Sequence, residues 1–201
     1  ANPTSNHPVG ATWPKNPAER GAKLIVADPR RNDLARHAWK YLQFTADMDV
    51  ALLNAMIHTI IEENLVAEDF VRNRTSGYEA LRENAKDFSP EKMAPLCGIP
   101  AETIREVARA YATSKGSIIF WGMGISQHVH GTDNARCLIA LALSTGQIGK
   151  PGSGLHPLRG QNNVQGASDS GLIPMFYPDY QRVNAPEARE RFEALWKMPL
   201  D

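Results

Sequence analysis

The stretch AKLIVADPR, residues 22–30, decides the fold class. Its apolar residues run without interruption from Leu24 to Ala27, and Asp28 and Pro29 then end the run. A continuous apolar run of this length is typical of a strand that is buried on both faces of a parallel sheet. We therefore predict a core strand here, with its carboxyl end at Asp28.

Helical patterns alternate with strand patterns along the rest of the chain. Residues 49–65 carry large aliphatic side chains at helical spacing, with Asp49 as the expected N-cap. The segment SIIFWGMG, residues 117–124, predicts a second buried strand. Further helical patterns follow at residues 68–74, 78–86, 100–114, 132–146 and 185–196. This alternation predicts an α/β fold with a mostly parallel sheet flanked by helices.

Local signals refine two of these elements. Pro14 and Pro17 lie where a helix should precede the first strand, so we expect that helix to be short or kinked. Thr132 or Asp133 is the expected N-cap of the helix that ends at Gly146.

Composition excludes several classes of function. The 201 residues contain 22 Lys and Arg against 22 Asp and Glu, which leaves no basic surface for nucleic acid. No apolar run approaches the ~18 residues of a membrane span. Cys97 and Cys137 are far apart and form no CxxC motif, so we expect no metal or iron–sulfur site within these residues. Unpaired cysteines favour a cytoplasmic protein, although an exported parent protein stays possible.

Candidate binding groups follow the predicted strands, because ligands of open α/β sheets bind beyond the carboxyl ends. Asp28 is suited to accept hydrogen bonds from ribose or guanine, and Arg30 to pair with phosphate; alternatively, Asp28 only caps the turn before Pro29. The glycines of GMGISQ, residues 122–127, allow close approach to a phosphate or a tight turn, but position 127 lacks the third glycine of a dinucleotide fingerprint. We interpret His128 and His130 as hydrogen-bonding groups, not metal ligands.

The segment HPLRGQNNVQGASDSG, residues 156–171, has the character of a functional loop. It places one cation, Arg159, among amide side chains on a glycine-rich backbone. A guanidinium pairs with a carboxylate through two parallel hydrogen bonds, and amides both donate and accept. Long irregular segments inside compact domains usually carry function.

The chain resembles the molybdopterin oxidoreductases, and within them the α subunits of formate dehydrogenases. The resemblance is carried by ANPTSNHP, AKLIVADPRR…ALLNAMIHTIIEENL and WGMGISQ…STGQIGKPGSGLHPLRGQNNVQGASDSG. It implies a segment of a larger catalytic chain that oxidises formate to carbon dioxide with a bis(molybdopterin guanine dinucleotide) cofactor on molybdenum or tungsten. Residues 1–150 would form a Rossmann-like dinucleotide-binding domain, truncated at its N-terminal side. Residues 151–201 would form the active-site loop and a connecting helix.

The resemblance also implies roles for single residues. Arg159 would orient formate, and Gln161 would contact a pterin. The positions that would line the dinucleotide are Asn2, Ser5, Asp28, Arg30, Asp47, Asp49, Met123, Gly124 and Gln127. Two of them depart from the family pattern, because Ser5 stands where an aspartate is common and Asp47 where a glycine is frequent.

The resemblance also implies electron-transfer partners, and two other functions are weighed against formate oxidation. The 4Fe–4S cysteines and the metal ligand would lie elsewhere in the parent chain, with iron–sulfur or flavin subunits as electron-transfer partners. A nitrate reductase and a non-catalytic structural homologue in a respiratory complex are the alternatives. The resemblance implies that nitrate enzymes tend to lack an arginine in this loop, so Arg159 argues against a nitrate reductase. Arg159, Gln127 and Gln161 together argue against the structural homologue.

Overall fold

The computed structural model describes residues 2–200 and confirms the α/β class. The chain divides into a first unit that ends at Leu158 and a second unit that begins at Arg159. The elements of the first unit are α1 (Pro3–Asn6), α2 (Thr12–Glu19), β1 (Ile25–Ala27), a 3₁₀ helix (Asp33–His37), β2 (Lys40–Leu42), α3 (Asp49–Glu62), α4 (Glu68–Arg74), α5 (Tyr78–Ala85), α6 (Pro90–Cys97), α7 (Ala101–Ala112), β3 (Ile118–Trp121), α8 (Met123–Ser126), α9 (Gly131–Ser144) and β4 (Gly154–Pro157). The second unit contains α10 (Val164–Asp169), β5 (Phe176–Tyr177), a 3₁₀ helix (Pro178–Tyr180), β6 (Gln181–Arg182) and α11 (Pro186–Trp196).

The strands of the first unit form two parallel pairs. In one pair Ile25 of β1 lies opposite Lys40 of β2. In the other, Ile118 of β3 lies opposite Gly154 of β4, and the Leu158 N–H continues the ladder by donating to the Trp121 carbonyl at 2.6 Å. β4 therefore belongs with the first unit, although we expected the functional boundary after Lys150. The assignment of dinucleotide binding to residues 1–150 stays a prediction.

Helix α3 lies at the centre of the core and packs against α6, α7 and α9. Its Ile57 and Ile60, with Ile104 of α7, are fully buried. Burying one such side chain stabilises the fold by roughly 1.5–3 kcal/mol. The predicted periodicity of residues 49–65 is thus confirmed, and so is the short helix before β1, where α2 carries Pro17 inside its eight residues.

Three local predictions were wrong. Met48, not Asp49, is the N-cap of α3, and Asp49 is its first helical residue. Helix α9 begins at Gly131 after an N-cap at His130, which lies two residues before Thr132 and three before Asp133. Neither predicted core strand is buried on both faces: Ala27 of β1 is exposed, and alternation puts Ile118 and Phe120 of β3 on one face, where they are 44% and 47% exposed.

An ion-pair network joins α6 and α7 to the end of α3. The Arg105 guanidinium donates to Glu91 at 3.0 and 3.1 Å and to Glu62 at 2.6 Å. Arg109 donates to both carboxylate oxygens of Glu63, at 2.7 and 2.9 Å. The hydrogen bond from Arg109 lowers the pKa of Glu63 below its ordinary value. The pKa of Glu91 is also lowered, mainly by a hydrogen bond from its own backbone N–H and to a smaller extent by the hydrogen bond from Arg105.

We predict that Arg105→Gln removes part of the stability that these carboxylates provide. A carboxyl whose pKa is lowered on folding stabilises the fold above its unfolded pKa, and this stability is lost as the pH falls through the folded pKa. At pH 7 the variant should lose about 1 kcal/mol of unfolding free energy, because Glu62 and Glu91 are half-exposed. Below the ordinary glutamate pKa of 4.5 the difference from the parent should shrink. Urea denaturation at several pH values measures both effects.

Arg82→Gln is the matched control for this variant. Arg82 pairs with Glu79 at 3.7 Å, but both side chains are largely exposed, so its removal should leave the unfolding free energy unchanged. Equal losses in the two variants, or a pH-independent loss in Arg105→Gln, would contradict the assignment.

The turn between β2 and α3 contains a left-handed residue. Asp47 has a φ of 66°, a region in which a β-carbon costs about 1–2 kcal/mol and which glycine adopts freely. This conformation would explain the glycine that the resemblance implies at this position. Aspartate is among the few other residues that adopt it with little penalty.

We predict that Asp47→Gly is more stable than Asp47→Ala by about 1 kcal/mol. Both substitutions remove the same carboxylate, so the difference isolates the backbone conformation. Thermal or urea denaturation of the two variants gives the value. At the neighbouring Ala46, whose φ is not positive, a change to glycine should instead lower stability. Equal stability of the two Asp47 variants would rule out the backbone argument.

Candidate cofactor site at the strand ends

The loop after β1 is closed around Asp28. One carboxylate oxygen accepts the backbone N–H of Arg30 at 2.8 Å, and the other accepts the side-chain amide of Asn32 at 3.1 Å. The turn-capping role that we considered for Asp28 is therefore present. A carboxylate offers about four acceptor positions, so two remain for a ligand on this half-buried side chain.

Contacts join this loop to the loop after β2. The Tyr41 hydroxyl donates to the Asp28 carbonyl at 3.0 Å, and the Gln43 side chain donates to the Pro29 carbonyl at 3.1 Å. The Arg31 guanidinium lies over the Tyr41 ring, 5.4 Å from its centroid. The carboxyl ends of β1 and β2 thus share one surface, as parallel pairing requires.

A second contact joins the loop after β2 to the loop after β3. Asp47 lies 3.5 Å from His128 Nδ1, and His128 directly follows Gln127. Burial raises the pKa of the Asp49 carboxyl above its ordinary value, its backbone N–H and His128 oppose the shift, and Asp47 adds to it. The structure therefore brings Asp47 and Asp49 to the end of the GMGISQ segment. The sequence suggested hydrogen bonding for His128 but not this partner.

The GMGISQ segment folds as the single turn of α8, pressed against the start of α9. A β-carbon on Gly131 would lie only 2.0 Å from the Ser126 carbonyl oxygen, so a larger residue cannot be accommodated without a shift of the backbone. The Asn134 side chain donates to the Ile125 carbonyl at 2.9 Å and holds the turn from the other side. Met123, Gly124 and Gln127 are left exposed on the outer surface of the turn.

The N-terminal candidates contact each other. The Asn2 side-chain amide donates to the Ser5 hydroxyl at 3.1 Å, and the Thr4 hydroxyl donates to the Asn2 side-chain oxygen at 2.6 Å. Helix α1, which carries them, packs on the 3₁₀ helix that follows the Asp28 loop. Asn2 and Ser5 therefore lie on the same side of the first unit as that loop.

The second unit holds Arg159 and Gln161, both exposed. The segment 156–171 is less irregular than expected, because its first two residues end β4 and Val164–Asp169 form α10. Tyr180 lies within electrostatic range of Arg159. The hydrogen bond between Tyr180 and Asp169 raises the pKa of the Tyr180 hydroxyl, and the positive charge of Arg159 opposes that shift. Tyr180 and Asp169 were not among the residues predicted from sequence, because nothing in the local pattern links them to Arg159.

The described residues show no metal site and no reactive thiol. Across residues 2–200, His, Cys, Asp and Glu form no group of three or more that would hold a metal ion. Burial raises the pKa of both Cys97 and Cys137 to about 11, and both are free thiols. Within the same range, no helix is long and apolar enough to cross a membrane.

Comparison with known proteins gives one consistent result. The molybdopterin oxidoreductase family matches residues 1–198. Formate dehydrogenase H of Escherichia coli is 45% identical over 97% of this chain and 27% of its own length. The α subunit of the F420-dependent formate dehydrogenase of Methanocaldococcus jannaschii is 43% identical over 100% of this chain and 30% of its own length. The chain thus spans less than a third of the length of these relatives.

The similarity extends to proteins with other activities. A nitrate reductase of Synechocystis is 36% identical over 88% of this chain and 25% of its own length. The structure of acetylene hydratase from Pelobacter acetylenicus superposes with a TM-score of 0.66 and 32% identity, over 69% of this chain and 19% of that one. The family implies a molybdopterin cofactor with molybdenum or tungsten. The chain belongs to the molybdopterin oxidoreductase family.

Proposed function

We propose that this chain is a segment of a formate dehydrogenase catalytic subunit that oxidises formate to carbon dioxide. The observation that carries the proposal is Arg159, an exposed cation in a loop of amides and glycines. Formate is a planar anion with two equivalent oxygens, which a guanidinium binds through two parallel hydrogen bonds. The identity of 45% and 43% to the two formate dehydrogenase chains named above, against 36% to the nitrate reductase, supports formate over nitrate. A non-catalytic homologue would not require this loop chemistry.

The strand-end residues fit the guanosine end of a molybdopterin guanine dinucleotide. Asp28 has acceptor positions left for ribose hydroxyls or guanine N–H groups, and the exposed Arg30 is suited to pair with phosphate. Asp47 and Asp49 add acceptors at the neighbouring loop. Asn2 and Ser5 supply polar groups for the phosphate or sugar. Met123, Gly124 and Gln127 provide an exposed turn whose glycine permits close backbone approach.

Arg159 and Gln161 have separate tasks in the proposed reaction. Formate gives up one proton and two electrons as it becomes carbon dioxide, and the molybdenum or tungsten centre would accept the two electrons when bound. Arg159 holds the carboxylate so that the C–H bond points in one direction, which is positioning and not acid–base catalysis. Gln161 would contact the pterin through an amide that both donates and accepts.

The wider assembly is also part of the proposal. We expect 4Fe–4S clusters elsewhere in the parent chain, and iron–sulfur or flavin subunits that take up the electrons. A cytoplasmic location agrees with the free thiols of Cys97 and Cys137.

We predict that Arg159→Lys in the full-length enzyme damages formate turnover much more than cofactor content. Lysine keeps the charge but loses the planar pair of donors, so formate is free to rotate. Losing one well-placed charged hydrogen bond costs about 2–4 kcal/mol, or about 30- to 1,000-fold in kcat/KM. Steady-state kinetics with formate, alongside metal analysis, measures the two quantities separately.

Arg182→Lys is the matched control, because Arg182 is an exposed arginine of the same unit outside the loop. It should keep both kinetics and metal content. If Arg159 only held the loop in place, metal content and thermal stability would fall together with activity. Near-normal formate kinetics in a fully metallated Arg159→Lys enzyme would remove Arg159 from the site.

We predict that Asp28→Ala lowers cofactor content but not turnover per bound metal. The substitution removes a charged acceptor worth about 1.5–3 kcal/mol at a position remote from the bond that breaks. Molybdenum or tungsten analysis, pterin quantification and kcat per metal provide the test. Asp33→Ala is a suitable control, because Asp33 is exposed in the adjacent 3₁₀ helix. Full occupancy with collapsed turnover would refute the binding role of Asp28.

A further inference from the structure

We infer that Asn32 is a positioning residue, which fixes the Asp28 carboxylate for a nucleoside that presents two adjacent hydrogen-bond donors. The inference rests on the proposed function, because it assigns Asn32 a role through Asp28. Neither the sequence pattern nor the resemblance pointed to Asn32.

Both polar groups of the Asn32 side chain are engaged. Its amide nitrogen donates to one Asp28 oxygen at 3.1 Å, and its oxygen accepts the Leu34 backbone N–H at 3.0 Å. The residue is only 9% exposed. Leu34 and Ala35, which follow it in the 3₁₀ helix, are 7% exposed each. Asn32 is therefore held in place by a buried segment, and its hydrogen bond to Asp28 restricts the movement of the Asp28 carboxylate.

The two hydrogen bonds at Asp28 differ in what they constrain. The bond from the Arg30 N–H holds one carboxylate oxygen and leaves the group able to turn about its Cβ–Cγ bond. The bond from Asn32 holds the second oxygen and fixes the plane of the carboxylate. The remaining acceptor positions then have a fixed direction. A pair of donors, such as the N1–H and amino group of guanine or a ribose diol, binds more tightly to acceptors that need no ordering.

Asn32 also caps the 3₁₀ helix, and the two roles can be separated by substitution. Asn32→Ser keeps an acceptor of the type that caps helices but is too short to reach Asp28. Asn32→Ala loses both functions. If Asn32 positions Asp28, the serine variant should regain thermal stability without regaining cofactor retention.

The experiment follows the loss of cofactor from the full-length holoenzyme. Purified enzyme is incubated below the Tm of every variant, and bound molybdenum or tungsten is measured against time. We expect the half-life of bound metal to shorten by a similar factor in Asn32→Ser and Asn32→Ala, about 3- to 10-fold for one hydrogen bond. The Tm of Asn32→Ser should stay near that of the parent, and the Tm of Asn32→Ala should fall.

A double variant tests whether the effect passes through Asp28. The effects of substituting two residues that act together are not additive. In an Asp28→Ala background, Asn32→Ser should therefore change the half-life of bound metal by less than about twofold. Parent-like retention in Asn32→Ser would show that the residue only caps the helix and would overturn the inference. A full additional loss in the double variant would also overturn it. Parent-like retention in Asp28→Ala alone would instead refute the proposed role of Asp28.

Discussion

The burial of α3 among α6, α7 and α9 is the constraint on which the first unit depends. Its aliphatic side chains fill the core, so its axis is fixed by packing on several sides. Asp49 at its first position meets the loops that follow the strands, and Glu62 at its last position meets Arg105. An α-helix of 14 residues is about 21 Å long. One rigid body thus connects the proposed cofactor surface to the ion pairs at its opposite end.

The proposed function divides the work between two kinds of residue. At the strand ends of the first unit, the Asp28 carboxylate is held by groups of its own loop, and the turn at Ile125 is held by Asn134 of α9, before any ligand arrives. In the second unit, Arg159 lies exposed on a glycine-rich backbone. The first arrangement suits permanent retention of a large cofactor, and the second suits a small substrate that must enter and leave. Site residues on rigid supports are the more accurately placed.

Much of the fold could be predicted from the sequence because its signals are local. The periodicity of α7 and the apolar run of β1 are fixed by which side chains need burial. Strands β2 and β4 were missed for the opposite reason. Lys40–Leu42 is short and mixed in polarity, and Gly154–Pro157 contains two residues that disfavour strands, so both exist through pairing with a distant partner. Helix α6 was missed because Pro90 and Pro95 resemble turn signals.

The same distinction applies to the candidate site. Strand ends followed by Asp28 or by GMGISQ could be recognised from sequence, because topology places ligand-binding groups there. The contact between Asp47 and His128 could not, since it joins loops that are far apart in the chain. Asn32 escaped notice although it is close to Asp28, because its role depends on which way a single amide points. An asparagine just before a short helix predicts only an ordinary N-cap.

The burial of Cys97 and Cys137 has a practical consequence for chemical labelling. Burial raises the pKa of each thiol to about 11, so very little thiolate is present at neutral pH, and the thiolate is the nucleophile that reacts with alkylating reagents. A cysteine introduced at an exposed position outside the proposed site, for example by Glu190→Cys, would have a much larger reactive fraction. Fluorescent or spin labels could therefore be attached at a chosen residue without first replacing either native cysteine.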